Sequence, residues 1–176
     1  EAWVKPTTTM SQWQTIVAKG NQITNSSGYG MYESGSNTID FRLREGGVNF
    51  LARTVVANIN EWTHLAFTVT LVNGIQYLTP YRNGVAGVPT YGIPFNPSTA
   101  SSLIIGNTQN FFGGQIDDVR IYNYARSPGQ ILEDMRGSSN TTGAISAIAG
   151  SGAGTQPASA LGYWQFDEGY DTTANN

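Results

Sequence analysis

The chain's capacity for chemistry rests on twelve carboxylates, nine Lys or Arg and one histidine, with no cysteine anywhere. Without cysteine there is no thiolate nucleophile, no thiolate metal site and no disulfide framework. A single His64 excludes a multi-histidine zinc site. As a general base it would need a nucleophile or acid beside it, and the sequence marks none, so it reads as a structural histidine bonded to a strand or loop neighbour. Acid pairs occur at Glu133-Asp134 and Asp167-Glu168, but the first sits in a helical pattern and the second alternates across a strand. Neither places two carboxyls on one face about 5 Å apart, as retaining sugar hydrolysis requires. No G-x-S-x-G, phosphate-cradling loop or H-E-x-x-H is present. The chain is read as non-catalytic.

One carboxylate stands out by its place in a pattern. The run Gly114-Gln115-Ile116-Asp117-Asp118-Val119-Arg120-Ile121-Tyr122 reads as a strand, and a period of two puts Asp117 in line with Val119 and Ile121. Those two are β-branched and apolar, so their face is taken as the core face. An inward carboxylate must find a cation or several donors. Asp117 is therefore expected either to bind a hard cation or to accept backbone N–H bonds. The opposite face, Asp118-Arg120-Tyr122, reads as a solvated ladder with an internal ion pair.

Binding is what remains, and sugars stack on exposed aromatic rings set among polar groups. Aromatic residues make up 11% of the chain and charged residues 12%, with 21 glycines. Tyr29, Tyr32, Tyr91, Phe95, Phe111 and Tyr124 fall in or beside loops and are the candidate ligand-binding residues; packing at the core or rim is the alternative for each. A net charge of −3 argues against nucleic acid. No apolar run approaches the ~20 residues that span a bilayer. The uncharged polar surface is that of secreted modules, so an extracellular or cell-surface location is expected. The chain opens directly on a strand with no leader, as a fragment or a processed form would.

The elements that must position these residues follow from alternation and turn chemistry. Glu1 to Lys5 is a strand stopped by Pro6. Trp13 to Lys19, Gly28 to Glu33, Thr38 to Arg44 and Val48 to Val56 follow. Leu65, Phe67, Val69 and Leu71 alternate towards the core, with His64, Ala66 and Thr68 turned to the other side or to a second layer. Asn73-Gly74 and Asn83-Gly84 suit tight hairpins on either side of Ile75 to Arg82. Leu103 to Asn107 reads as a buried strand. Ser127-Pro128-Gly129-Gln130 opens a short helix with a capping box, and Gly137 closes it. Residues 138–160 are Ser, Thr, Gly and Ala with almost no charge, a linker by composition; a random coil of that length spans roughly 25–30 Å. Leu161 to Gly169 returns to strand character.

Several of these runs together resemble the laminin-G-like jelly-roll branch of the concanavalin A-like lectin/glucanase superfamily. The matching stretches are Glu1-Ala2-Trp3-Val4-Lys5-Pro6, the W-x-x-I-V-x-K-G of Trp13 to Gly20, the W-x-H-x-A-x-T of Trp62 to Thr68, the Y-x-N-G of Tyr81 to Gly84, and Phe112 to Asn123. The resemblance implies an all-β fold, a two-sheet antiparallel β-sandwich jelly-roll with one short C-terminal helix, over residues 1–137. It also implies a structural Ca²⁺ on Asp117, with oxygens near the Asp167 turn as co-ligands, and a glycan or cell-surface partner. The E-x-D-x-x-E of the superfamily's glucanases is absent. Tyr163-Trp164-Gln165-Phe166-Asp167-Glu168-Gly169 resembles the motif with which such domains begin, yet it stands at the end, and the usual intervening L-x-F-D-G-x-x-D-Y-V is missing. Residues 161–176 therefore either start a next repeat, fold back to complete their own sheet, or complete the sheet of a neighbouring copy. The last would give self-association by strand exchange and a structural subunit of a filament or array.

Overall fold

A computed structural model describes residues 1–8, 13–20, 27–35, 38–45, 48–55, 59–92, 100–107, 110–137 and 160–166. Thirteen strands and one helix are defined within them: β1 Ala2–Pro6, β2 Gln14–Lys19, β3 Gly28–Glu33, β4 Thr38–Glu45, β5 Val48–Val55, β6 Thr63–Val72, β7 Ile75–Arg82, β8 Val85–Ala86, β9 Thr90–Gly92, β10 Leu103–Ile105, β11 Gly114–Asp117, β12 Val119–Ile121, α1 Pro128–Met135 and β13 Gly162–Trp164. One sheet runs β11-β1-β6-β7-β8 with β9 also on β7, a second runs β10-β2-β3-β4-β5, and β12 pairs with β13. Every pairing is antiparallel. The fold is the expected β-sandwich jelly-roll.

The core forms where the two inner faces meet. Ala2, Val4 and Leu65 from one sheet close on Ile16, Val17, Met31, Ile39 and Phe41 from the other, and Leu43, Phe50, Ala52 and Leu78 extend the layer. The hairpins take the expected form: Asn73 and Asn83 have φ of 51° and 50°, and the glycines that follow have 77° and 76°, the left-handed pair that a two-residue hairpin with matching twist requires. Gly84 has a second duty, because an added Cβ would lie 2.8 Å from Leu132 Cδ1 on α1. The capping box is present: Ser127 Oγ accepts from Gln130 N–H (3.3 Å) and Gln130 Oε1 accepts from Ser127 N–H (2.9 Å). Gly137 follows at φ 68°. The helix covers the outer side of β6 and β7 through Ala66, Tyr81 and Ile131. It is the second layer towards which His64 and Ala66 turn.

Three expectations are corrected. Leu71 is exposed at the hairpin tip rather than packed, and β10 is an edge strand with Ile104 partly exposed rather than buried. The third concerns the Asp117 strand, which is two strands. Trp3 pairs with Asp117, but Glu1 exchanges backbone bonds with Arg120: Arg120 N–H donates to Glu1 O (2.9 Å) and the Glu1 ammonium donates to Arg120 O (2.8 Å). One extra residue therefore sits opposite β1, a bulge at Asp118, whose φ is 47°. The bulge reverses the alternation. Ile116 and Val119 both pack on the core, three residues apart, and Asp117 and Arg120 face outward.

Candidate functional site

That reversal decides where the acidic candidates lie. Asp117 does not enter the core; with Asp118, Trp3 and Trp62 it borders a shallow depression on the outer side. Its Oδ1 accepts the N–H of Asp118 (2.8 Å), the backbone-bonded alternative the sequence left open. Asp118 is engaged elsewhere: Tyr163 Oη–H donates to its Oδ1, and Arg120 Nη2 lies 3.6 Å away. Among the described residues no three His, Cys, Asp or Glu side chains come together as a metal site. Ca²⁺ takes six to eight oxygens, so Asp117 alone does not make one, and Asp167 lies outside the described residues.

Arg120 is not on a solvated ladder. It is 5% exposed and joins four elements. Its Nη1 donates to Asp134 O on α1 (2.9 Å), and its Nη2 donates to Tyr163 Oη on β13 (3.1 Å). The guanidinium lies 4.5 Å from the Tyr163 ring centroid and 3.7 Å from Glu1 Oε1. Asp134 is gripped further by Arg126 through two bonds (2.8 and 2.6 Å) and by Tyr122 Oη–H (3.2 Å). His64 stacks edge-on to Trp3 at 5.3 Å and is 1% exposed. Burial, with the N-terminal ammonium and Arg120 adding to it, pushes its imidazole down to about 3. An imidazole held neutral that far down is a poor general base, but the hydrogen-bonded neighbour expected of a structural histidine is not found: among the described residues neither ring nitrogen has a hydrogen-bond partner, and Glu1 Oε2 lies 3.8 Å from Nε2. The sequence signal missed here was Tyr163, whose spacing from Asp118 and Arg120 is long-range.

The six aromatic candidates separate. Tyr32 is in mid-strand on the Asp40 side of β3 and is 1% exposed, so it offers no ring to solvent; burial also raises its hydroxyl. Phe95 lies outside the described residues. Phe111 is 75% exposed and forms a lone bridge with Asn107. Tyr29 and Tyr124 are brought together as walls of one cleft of about 410 Å³, with Phe67, Val69 and Arg126. Both are half-buried: Tyr29 packs on the Leu43 and Phe50 cluster, and the Tyr124 hydroxyl accepts from Arg126 Nη1 (2.9 Å).

Tyr91 is the candidate with a built surface. It is 68% exposed and stands opposite Tyr77 across β9 and β7, with ring centroids 5.8 Å apart and planes tilted by 39°. Leu78 beside Tyr77 is fully buried, so alternation turns Tyr77 and Tyr91 outward together. Thr70 is the cross-strand partner of Tyr77, and Thr79, two residues along β7, shares its face. Two adjacent phenol rings with hydroxyl neighbours on a rigid sheet can stack on the apolar face of a sugar ring and bond its hydroxyls. Tyr77 was missed in the sequence because β8 and β9 follow one another along the same edge of β7, with a one-residue shift in register between them that alternation along a single strand does not reveal.

A family model described as the concanavalin A-like lectin/glucanases superfamily, of laminin-G type, matches residues 1–132. Among curated proteins no sequence relative matches. Two solved structures with similar folds are the Ruminococcus gnavus IT-sialidase CBM40 bound to α2,3-sialyllactose and the same module bound to α2,6-sialyllactose. The first is 15% identical with a TM-score of 0.53, covering 74% of this chain and 78% of that one. The second is 14% identical with a TM-score of 0.52, covering 76% and 80%.

Proposed function

The chain belongs to the concanavalin A-like lectin/glucanases superfamily, and from that premise we propose that it is a non-catalytic, extracellular binding module whose ligand is a glycan. The observation that carries the reading is the outward Tyr77–Tyr91 pair with its threonine neighbours. The neighbouring folds solved with sialyllactose support a saccharide as the ligand class. The absence of a placed carboxylate pair from the sequence supports binding without turnover. Calcium belongs to the same proposal through Asp117, with oxygens near the Asp167 turn as the co-ligands that the family resemblance implies.

The test is a glycan array that includes both sialyllactoses and neutral oligosaccharides, followed by titration of the best ligand. The Tyr91→Ala variant is expected to bind at least tenfold more weakly, about 1.4 kcal/mol, with its melting temperature unchanged because the ring is exposed. A blank array, or a variant that binds as tightly as the wild type, rejects the reading. The alternative, a structural subunit built by donating the strand of residues 161–176 to a neighbour, draws on the same β12 acceptor; in this chain β13 pairs with its own β12, which supports the self-contained form.

A further inference from the structure

The outward face that carries Tyr77 and Tyr91 extends beyond that pair. Alternation along β7 gives it Ile75, Tyr77 and Thr79, and pairing with β6 sets Val72 opposite Ile75 and Thr70 opposite Tyr77. Val72 is 51% exposed and Ile75 is 41% exposed, on the side of the sheet where Tyr91 stands opposite Tyr77. From Ile75 to Thr79 this surface runs about 13 Å. It is apolar at the hairpin end, aromatic in the middle and hydroxyl-bearing at the other end. Among the described residues no charged side chain belongs to it.

Where the cations lie decides what such a surface can hold. All nine Lys and Arg of the chain fall within the described residues, so each has a place. Lys19, Arg42, Arg44 and Arg53 belong to β2, β4 and β5 of the other sheet. Lys5 follows the Val4–Thr63 pair, at the opposite end of β6 from Thr70. Arg82 ends β7 with the parity of buried Leu78, so it turns to the other side of the sheet. Arg120 and Arg126 are bonded to Asp134. Arg136 closes α1, which meets the sheet at Tyr81, about 13 Å along β7 from Tyr77. A carboxylate brought onto the platform would lose water and gain no cation. The negative faces of the two phenol rings would also repel it. The C–H face of a neutral sugar suits the same rings, and its hydroxyls suit the threonines.

We propose that the Tyr77–Tyr91 platform selects neutral oligosaccharides and discriminates against glycans that bring a carboxylate to it, whether sialic acid or a uronic acid. The proposal rests on the glycan reading above and narrows its ligand class. The length of the uncharged surface matters here. A carboxylate on the sugar next to the stacked ring still falls between Ile75 and Thr79, where charge-assisted bonding of the kind Arg supplies is missing. Selection is therefore by stacking and hydroxyl contacts, and binding should not depend on salt.

The experiment is an array of matched glycans probed with the full chain and with Tyr91→Ala. It holds lactose beside both sialyllactoses, methyl-esterified beside free oligogalacturonides, and neutral cello-, xylo- and manno-oligosaccharides. The bound glycans are expected to be neutral, and the acidic member of any bound pair at least tenfold weaker. Affinity for the neutral ligand is expected to be the same in low and high salt and to fall at least tenfold in Tyr91→Ala. An acidic member that binds as tightly as its neutral partner, or affinity that falls steeply with salt, overturns the proposal. If Tyr91→Ala still abolishes that binding, the glycan reading stands and only the choice of a neutral ligand fails. A blank array, or binding indifferent to Tyr91→Ala, fails the glycan reading itself and this proposal with it.

Discussion

His64 and Glu1, buried side by side with Nε2 and Oε2 3.8 Å apart, show how burial sets opposing pH responses in a base and an acid. Burial holds the His64 imidazole down at about 3 against an ordinary 6.5. The folded protein therefore refuses a proton that the unfolded chain accepts, so this contribution is complete above pH 6.5 and drains away as the pH falls towards 3. Glu1 goes the other way: burial lifts its carboxyl from 4.5 to about 7, so its contribution is present below 4.5 and is lost as the pH rises through 7. The two oppose each other between 4.5 and 6.5. Replacing the histidine isolates its share. The stability of wild type minus that of His64→Gln, from urea unfolding at pH 4, 5.5 and 7, should grow steadily with pH. A difference independent of pH would show that the imidazole does not titrate with folding.

At the scale of elements, the C-terminal strand is fastened by one side chain more than by its length. β13 contributes three residues to its ladder with β12, and Leu161 N–H adds a bond to Ile121 O (2.7 Å). Tyr163 supplies the rest, donating to Asp118 and accepting from Arg120. Tyr163→Phe keeps the ring on the guanidinium and removes both hydroxyl bonds. It should cost about 1–2 kcal/mol, and the amides of Gly162 to Trp164 should exchange faster while those of β6 and β7 do not change. Uniform loss of protection across the sandwich would mean that β13 is integral to global stability rather than a docked strand. The bulge at Asp118 belongs to the same device, since it turns Arg120 outward to where Tyr163 and Asp134 can reach it.

At the scale of the molecule, a strand satisfied by its own chain gives no reason to share it. Light scattering after size exclusion should return about 18.9 kDa; a defined larger assembly that disappears on deleting residues 161–176 would favour strand exchange instead. Calcium held by Asp117 and oxygens near the Asp167 turn would stabilise the fold by mass action. At a hundredfold excess over its dissociation constant that is about 2.7 kcal/mol, or roughly 5–10 °C for a chain of this size. The melting temperature should therefore drop by that amount in chelator and recover on adding Ca²⁺. An unchanged melt removes calcium from the proposal.

What the sequence by itself determined was local. Alternation from Leu65 to Val69, the two Asn-Gly hairpins and the Ser127–Gln130 cap were all legible, because each depends on neighbours within a few residues and on backbone preferences that tertiary contacts do not override. The jelly-roll followed from those pieces and the family motifs. What only the tertiary structure decided was which side of each strand is covered and by what. Reading one unbroken period through Asp117 and Asp118 put Asp117 inside and Arg120 outside. A single residue in the left-handed region reverses that phase, and adjacent aspartates in a sequence do not announce it. Tyr32 looked available and is enclosed. Tyr77 meets Tyr91 only because β8 and β9 run on, one after the other, along the same edge of β7. Exposure and pairing of this kind are set by contacts between residues far apart in the chain, so they appear only once the sheets have closed.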